Sequence, residues 1–261
     1  MKCLLLTARG LSRATNEDGC GIMFGGTRPG PGGARELTSH PSAARTGQIV
    51  LKGCEFEAVI TEITTPCACL ISDGMGGMGA GDIATSTTLE VFCNTRDTLL
   101  PAGNLPNPDQ TREFFSRAHA LMLEDNEHPT MGAAIAGFCL DNEKNYIVFH
   151  AGDARIGRIR LGPLEPLTRD HAGPVAGSLG NCLGGGLPPE RAFLETRFPG
   201  ANTLLPGQRL VALTDGLYGP LGQDELDRLT SLHLEEIPGQ ARSLVEANGA
   251  PDNYSLIIVE G

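Results

Sequence analysis

The chain has no tryptophan and only 3 tyrosines, so its core must be built mainly from aliphatic side chains. It has no apolar run near the ~20 residues that a bilayer-spanning helix needs. Its opening stretch, MKCLLLTARGLSR, reaches charge too early for a secretory leader. No membrane association is expected, and the cytoplasm is the expected location. No C-x-x-C pair occurs among the 8 cysteines, which lie scattered at positions 3, 20, 54, 67, 69, 93, 139 and 182. Cys67 and Cys69 stand close together but lack a second ligand pair, so reduced, buried thiols are the expectation. Basic residues are also in short supply. With 20 Lys and Arg against 31 Asp and Glu, the formal net charge is -11. Nucleic-acid binding needs a basic surface, so nucleic acid is not an expected partner. An acidic protein that handles an anionic substrate must attract it locally.

What is present is ordinary for a globular protein: 40% hydrophobic and 20% charged residues over 261 positions. A length of this order fits a single domain, 1–261. Short runs rich in branched residues and bounded by turn signals predict buried strands over 67–74, 146–155, 209–216 and 253–260. Further strands are expected in LLLTARG, over 54–63 and over 133–140. Apolar residues at helical spacing predict helices over 82–100, 108–124 and 238–247, the second with Pro108 at an allowed first-turn position. The first two helices come as a block instead of alternating with strands, which favours an α+β arrangement over a doubly wound sheet. The segment 26–46 is rich in Gly, Pro, Ser and Arg and reads as a flexible insertion loop within the domain. Its Arg28, Arg35 and Arg45 could help dock an acidic partner.

Three of the predicted strands run into Asp-Gly or Gly-Asp, and a fourth is preceded by Asp252. Asp18, Asp73, Asp153, Asp215 and Asp252 therefore form a set of acidic residues at strand termini. If one sheet edge gathers them, mutual repulsion raises their pKa values unless cations sit between them. Carboxylates and water are the ligands of hard cations such as Mg²⁺ and Mn²⁺, and a pair of such ions can clamp a phosphoryl group. Each Asp-Gly alone is equally the mark of a common turn.

Seven segments lie in an order that resembles the type 2C metal-dependent protein phosphatases: RATNEDGCG, ISDGMGGMGAGDIAT, MGAAIAGF, FHAGDARIGRI, LTRDHAG, LVALTDGLYG and APDNYSLIIVE. They span Arg13 to Glu260, essentially the whole chain. The resemblance implies a central β-sandwich of two antiparallel sheets flanked by helices, with two or three Mn²⁺ or Mg²⁺ at one end. It implies that Asp73 bridges both core metals, with the carbonyl of Gly74 as a further ligand. Asp215 and Asp252 would serve one of these ions, and Glu17 and Asp18 the other. Asp153 would hold a weaker third ion with Asp215, and Arg13 would grip the substrate phosphate. The implied reaction is direct attack of a metal-bridging hydroxide on phosphoserine or phosphothreonine, without a phosphoenzyme. Phosphorylated Ser/Thr proteins and an opposing Ser/Thr kinase are the implied partners, and a monomer is expected.

The chain departs from the family pattern in places. Met78 stands where bacterial relatives usually have His, Met75 where eukaryotic ones have a His proposed as general acid, and two hydroxyls are lost in MGAA and GDAR. His171 is expected to cap or anchor a surface loop. The stretch Gly180, Asn181, Cys182, Leu183, Gly184, Gly185, Gly186 reads as a short flexible version of the family's flap, since no Lys-Ser/Thr follows to make it a phosphate loop. Two rivals stand beside the enzyme: a catalytically weak or dead phosphatase fold that binds a phosphoprotein, and a carboxylate-based nuclease, which would need a basic groove.

Overall fold

The computed structural model describes residues 1–25, 47–76, 80–175, 178–197 and 202–261. The expected insertion loop at 26–46 with its arginines, and Met78, lie outside them. Among the described residues two antiparallel sheets face each other. The first carries, in spatial order, Phe56–Glu62, Lys2–Ala8, Tyr254–Glu260, Arg209–Leu213, Arg155–Ile159 and Glu165–Pro166. The second carries Glu195–Arg197, Tyr146–Ala151, Gly132–Leu140, Cys67–Met75, Asp18–Phe24 and Gln48–Lys52, with Leu183–Gly184 paired to the start of Gly132–Leu140. In chain order these are β1 (2–8), β2 (18–24), β3 (48–52), β4 (56–62), β5 (67–75), β6 (132–140), β7 (146–151), β8 (155–159), β9 (165–166), β10 (183–184), β11 (195–197), β12 (209–213) and β13 (254–260). The helices are α1 (80–94), α2 (96–99), α3 (108–124), α4 (215–218), α5 (223–231) and α6 (237–247).

The strands look apolar throughout because both of their faces are covered. On β1, Cys3 and Leu5 enter the core between the sheets, where they meet Ile71, Phe138 and Ile257. Leu4 and Leu6 point the other way and pack with Leu226, Leu229 and Val245 beneath α5 and α6. The opposite sheet is covered likewise by α1 and α3, where Phe92 packs edge-on against Phe114 and Phe114 in turn against Phe149 of β7. The helix α3 begins as the sequence predicts. Asn107 accepts from the amides of Asp109 and Gln110, Gln110 reaches back to the Asn107 amide, and Pro108 fills the first turn.

One predicted strand is wrong in an informative way. The run 146–155 is not one strand but two, β7 and β8, which belong to opposite sheets. Gly152, at φ +109°, turns the chain from one sheet to the other, and Asp153 sits at that crossing. The strands β2 and β3 are joined across 26–46, and the Phe24 amide donates to the Gly47 carbonyl at 2.9 Å where they meet.

Candidate active site

The acidic residues converge from both sheets on one end of the sandwich. Asp18 opens β2 and Asp73 lies near the end of β5, where the two are register partners. Directly opposed side chains on neighbouring antiparallel strands have Cβ atoms about 5 Å apart, so like charges there repel strongly. Asp18 is 1% exposed. Its carboxylate accepts from the Thr214 hydroxyl at 2.8 Å, a contact that crosses between the sheets. That hydroxyl is oriented in turn by the Ser255 amide, which donates to it at 2.9 Å.

The other sheet supplies Asp215 and Asp252. The strand β12 ends at Leu213, so Asp215 is not at a strand end as expected from sequence but opens the one-turn helix α4. Asp252 immediately precedes Asn253 and β13, and its Oδ2 accepts from the Arg13 guanidinium at 2.6 Å. Backbone segments approach here closely enough that only glycine fits, β5 against the first turn of α1 and α4 against the residue before β13. A Cβ on Gly74 would stand 2.0 Å from the Gly81 carbonyl oxygen, and one on Gly216 would stand 1.8 Å from that of Asn253.

Burial, then the charges of Asp18 and Asp215, push the Asp73 carboxyl well above the usual range. Asp18 is raised too, by burial foremost and against the opposing help of the Thr214 and Ser255 hydroxyls. Burial and then Asp215 bring Asp153 up to about 6. Burial followed by Asp252 raises Asp215, and burial also raises Glu17. Arg13, held by its hydrogen bond to Asp252, moves further up. Several carboxyls held where ionisation is opposed mainly by burial and by each other are a site short of positive charge. Oxygen donors in this number suit hard divalent cations, so the residues fit the metal that the sequence implies.

Neutral groups missed in the sequence hold this arrangement. Asn253 is buried, donates to the carbonyls of Arg9 and Thr15, and accepts from the Glu17 amide at 2.8 Å. It thereby fastens the segment carrying Arg13 and Glu17 onto the start of β13. The Gly81 amide in the first turn of α1, a donor with no partner inside the helix, favours the charged form of the Glu17 carboxyl against its burial. Asn253 was visible in APDNYS but carried no signal beyond its place beside Asp252.

The Gly152–Asp153 crossing is braced from several sides. The Tyr218 hydroxyl donates to the Asp153 carbonyl at 3.1 Å. Arg155 makes a two-pronged bond to Asp170, at 2.9 and 2.7 Å, and lies over the Tyr218 ring. In the stretch 180–186, Asn181 and Leu183 are buried and Leu183–Gly184 pairs with β6, whereas Gly185 is partly and Gly186 fully open to solvent. Any flap-like movement at this place is thus left to the last two glycines.

Among the described residues, one group of three His, Cys, Asp or Glu brings its ligand atoms all within 4.8 Å of one another: His150, His171 and Glu195. It is not a metal site. His171 Nδ1 accepts from the Gly152 amide at 3.2 Å and from Asn181 Nδ2 at 3.0 Å, so the proton of the neutral ring resides on Nε2, which faces Glu195. A nitrogen carrying a proton offers no lone pair to a cation. The acidic residues of the cleft are set wider apart, with no three of their ligand atoms within 4.8 Å of one another among the described residues, as befits ions that keep several waters and take few carboxylates each.

An oxygen-lined acidic cleft with one guanidinium, at the end of a two-sheet sandwich between helices, fits metal-dependent hydrolysis of phosphoesters. No family model matches the chain. Protein phosphatase PhpP of Streptococcus pneumoniae is 30% identical over 182 residues, which cover 62% of this chain and 68% of that protein. The structure of the serine/threonine phosphatase PstP/Ppp of Mycobacterium tuberculosis superposes with a TM-score of 0.67 at 18% identity, covering 100% of this chain and 99% of that one. The PstP catalytic domain in complex with two manganese ions matches with a TM-score of 0.63 at 18% identity, over 98% of each chain. The chain belongs to the type 2C protein phosphatase family, and it is a protein phosphatase with that family's α+β sandwich fold.

Proposed function

We propose that residues 1–261 form one catalytic domain that hydrolyses phosphoserine and phosphothreonine in proteins, with Mn²⁺ or Mg²⁺ held at the acidic end of the sandwich. The observation that carries this reading is the convergence of Asp18 and Asp73 from one sheet with Asp215 and Asp252 from the other. Glu17, Asp18, Asp73, Asp215 and Asp252, with the Gly74 carbonyl, would hold two ions, and Asp153 with Asp215 a third. When bound, such ions lower the pKa of water and offset charge on the phosphoryl group.

Arg13 binds the substrate phosphate. A guanidinium offers five N–H donors in a planar fork, and Asp252 engages it through one nitrogen at 2.6 Å. With 48% of the side chain exposed, donors remain for a tetrahedral anion arriving from solvent. Asp252 thus orients Arg13 over the cleft, and Asn253 fixes the backbone that carries it. These residues include no Ser, Cys or His nucleophile, and their carboxylates would be taken up as metal ligands, which agrees with direct attack by water.

The test uses a phosphothreonine peptide and p-nitrophenyl phosphate. Hydrolysis is expected with Mn²⁺, and it is expected to vanish after exhaustive EDTA treatment and return when Mn²⁺ is restored. Full turnover without metal would refute the metal assignment. Tight binding of the phosphopeptide without hydrolysis would favour a catalytically dead binding module.

A further inference from the structure

We propose that His171 is a positioning residue, whose Nδ1 locks the Asp153 crossing to the 181–184 segment, with Glu195 fixing the ring tautomer that makes this possible. The proposal rests on Asp153 being a ligand of the weaker metal, as argued above. The ring lies inside a ring of contacts that no surface cap would need. Its Nδ1 accepts from two donors of different elements, the amide of Gly152 in the β7–β8 crossing and Nδ2 of Asn181. Both donors have fixed hydrogens, so Nδ1 must present its lone pair and Nε2 must carry the proton. Glu195 Oε2, 3.0 Å away on β11, accepts a hydrogen bond from that N–H, and Arg197 contacts the other oxygen of the same carboxylate. His150 stacks on the His171 ring with centroids 4.3 Å apart and stops it from rotating.

The main chain repeats the same links. The His171 amide donates to the Gly152 carbonyl at 2.9 Å, and the Gly180 amide donates to the His171 carbonyl at 2.7 Å. Asn181 then carries the connection on, since its side chain exchanges hydrogen bonds with the amide and carbonyl of Phe193. One side chain therefore couples the turn that presents Asp153 to the segment leading into Gly185 and Gly186. Loss of the Nδ1 acceptor leaves the buried Gly152 amide without a partner, and the crossing shifts to find one.

Two substitutions separate this role from mere filling of space. His171→Asn places an amide oxygen where Nδ1 stands and gives up the reach to Glu195. His171→Gln keeps a polar atom near Glu195 and gives up the acceptor. The first readout is hydrogen exchange of the metal-free protein over peptides containing Gly152 and Asn181. The second is the Mn²⁺ concentration giving half-maximal hydrolysis of p-nitrophenyl phosphate. His171→Gln is expected to speed exchange in both peptides and to raise the Mn²⁺ requirement by roughly tenfold, the low end for losing an outer-shell partner, with little change at saturating Mn²⁺. His171→Asn is expected to stay within about twofold of the parent on both readouts, an oxygen replacing the ring nitrogen as acceptor. If folded His171→Asn loses protection as His171→Gln does, or if His171→Gln exchanges like the parent, the proposal is wrong. Unchanged metal dependence with faster exchange in His171→Gln would overturn the link to Asp153. Should His171→Gln fail to fold, His171→Asn decides alone. Failure of the unaltered protein to hydrolyse any phosphoester would count against the phosphatase reading, and the exchange data would still decide the anchor.

Discussion

Gly74 follows the central carboxylate, and replacing it by alanine perturbs the site without touching a charge. The new methyl carbon would lie 2.0 Å from the Gly81 carbonyl oxygen, 2.6 Å from the Gly81 carbonyl carbon and 2.7 Å from the Glu17 carbonyl oxygen. All three are backbone atoms that cannot swing aside. Ordinary contact begins near 3.4 Å, so α1 and β5 must separate by 3.4 − 2.0 = 1.4 Å, or by 1.0 Å to reach the tightest tolerated approach of 3.0 Å. The displacement falls on Asp73 and Glu17, which flank the contact. A misplacement of about 1 Å at reacting groups typically lowers turnover on the order of 10²-fold, and overpacking of this kind costs about 1–3 kcal/mol of stability. At a shift of about 2–4 °C per kcal/mol for a chain of this size, the melting temperature should fall by roughly 2–12 °C. Gly239→Ala is the matched control. It lies in α6, a Cβ there meets nothing within 4 Å, and the exchange should stabilise the helix by about 1 kcal/mol. The assay is Mn²⁺-dependent hydrolysis of p-nitrophenyl phosphate beside thermal denaturation of both variants. A Gly74→Ala enzyme with the parent's turnover and melting temperature would refute the close approach and the placement of Asp73 drawn from it.

Asp73→Asn is expected to lower turnover far more than Asp153→Asn, because in the proposed arrangement the first position would serve both core metals and the second only the weaker third; equal losses in folded proteins would count against these assignments. In EDTA the melting temperature should fall as pH rises from about 4 through about 6. Asp153 has its folded pKa raised to about 6, so it keeps a proton in the folded state that the unfolded chain releases, and rising pH then favours unfolding. Asp153→Asn should flatten that slope, and a melting temperature that climbs over this interval would contradict the electrostatic description.

Much of this architecture was legible in the sequence for a plain reason. Strands covered on both faces, such as β1 and β13, are continuous apolar runs, and α3 announces itself through its apolar spacing and Pro108 in the first turn. The split of 146–155 was not legible, because IVFHA and ARIGRI are apolar enough to read as one strand and only the conformation of Gly152 separates them. The short helix at Asp215 hid for a similar reason. Asp-Gly marks a chain reversal of any kind, and nothing local shows that Gly216 in this helical turn packs against the Asn253 backbone at the entry of the neighbouring strand β13. The acidic positions could be listed from the sequence, but their neutral supports could not. Asn253, Thr214 and Ser255 act through partners far along the chain, 196 positions away in the case of Thr214 and Asp18.

The choice of supports explains how so acidic a cleft keeps its capacity for metal. Elsewhere the chain neutralises its carboxylates with arginine, as Arg209 does for Glu260 at 2.6 Å and Arg158 for Glu165 at 3.0 Å. At the cleft the hydrogen bonds come instead from uncharged donors: the Thr214 hydroxyl to Asp18 and the Asn253 amide to Asp252. Such donors orient a carboxylate without satisfying its charge, so the demand for positive charge stays open for a divalent ion. Arg155, beside Asp153, is already drawn off by its two bonds to Asp170. Arg13 is the guanidinium that reaches the group, and it does so at the rim, on Asp252, where it can also meet substrate. A lysine placed at Thr214 would hold Asp18 more strongly than the hydroxyl does and, by the same charge, would take the place of the cation.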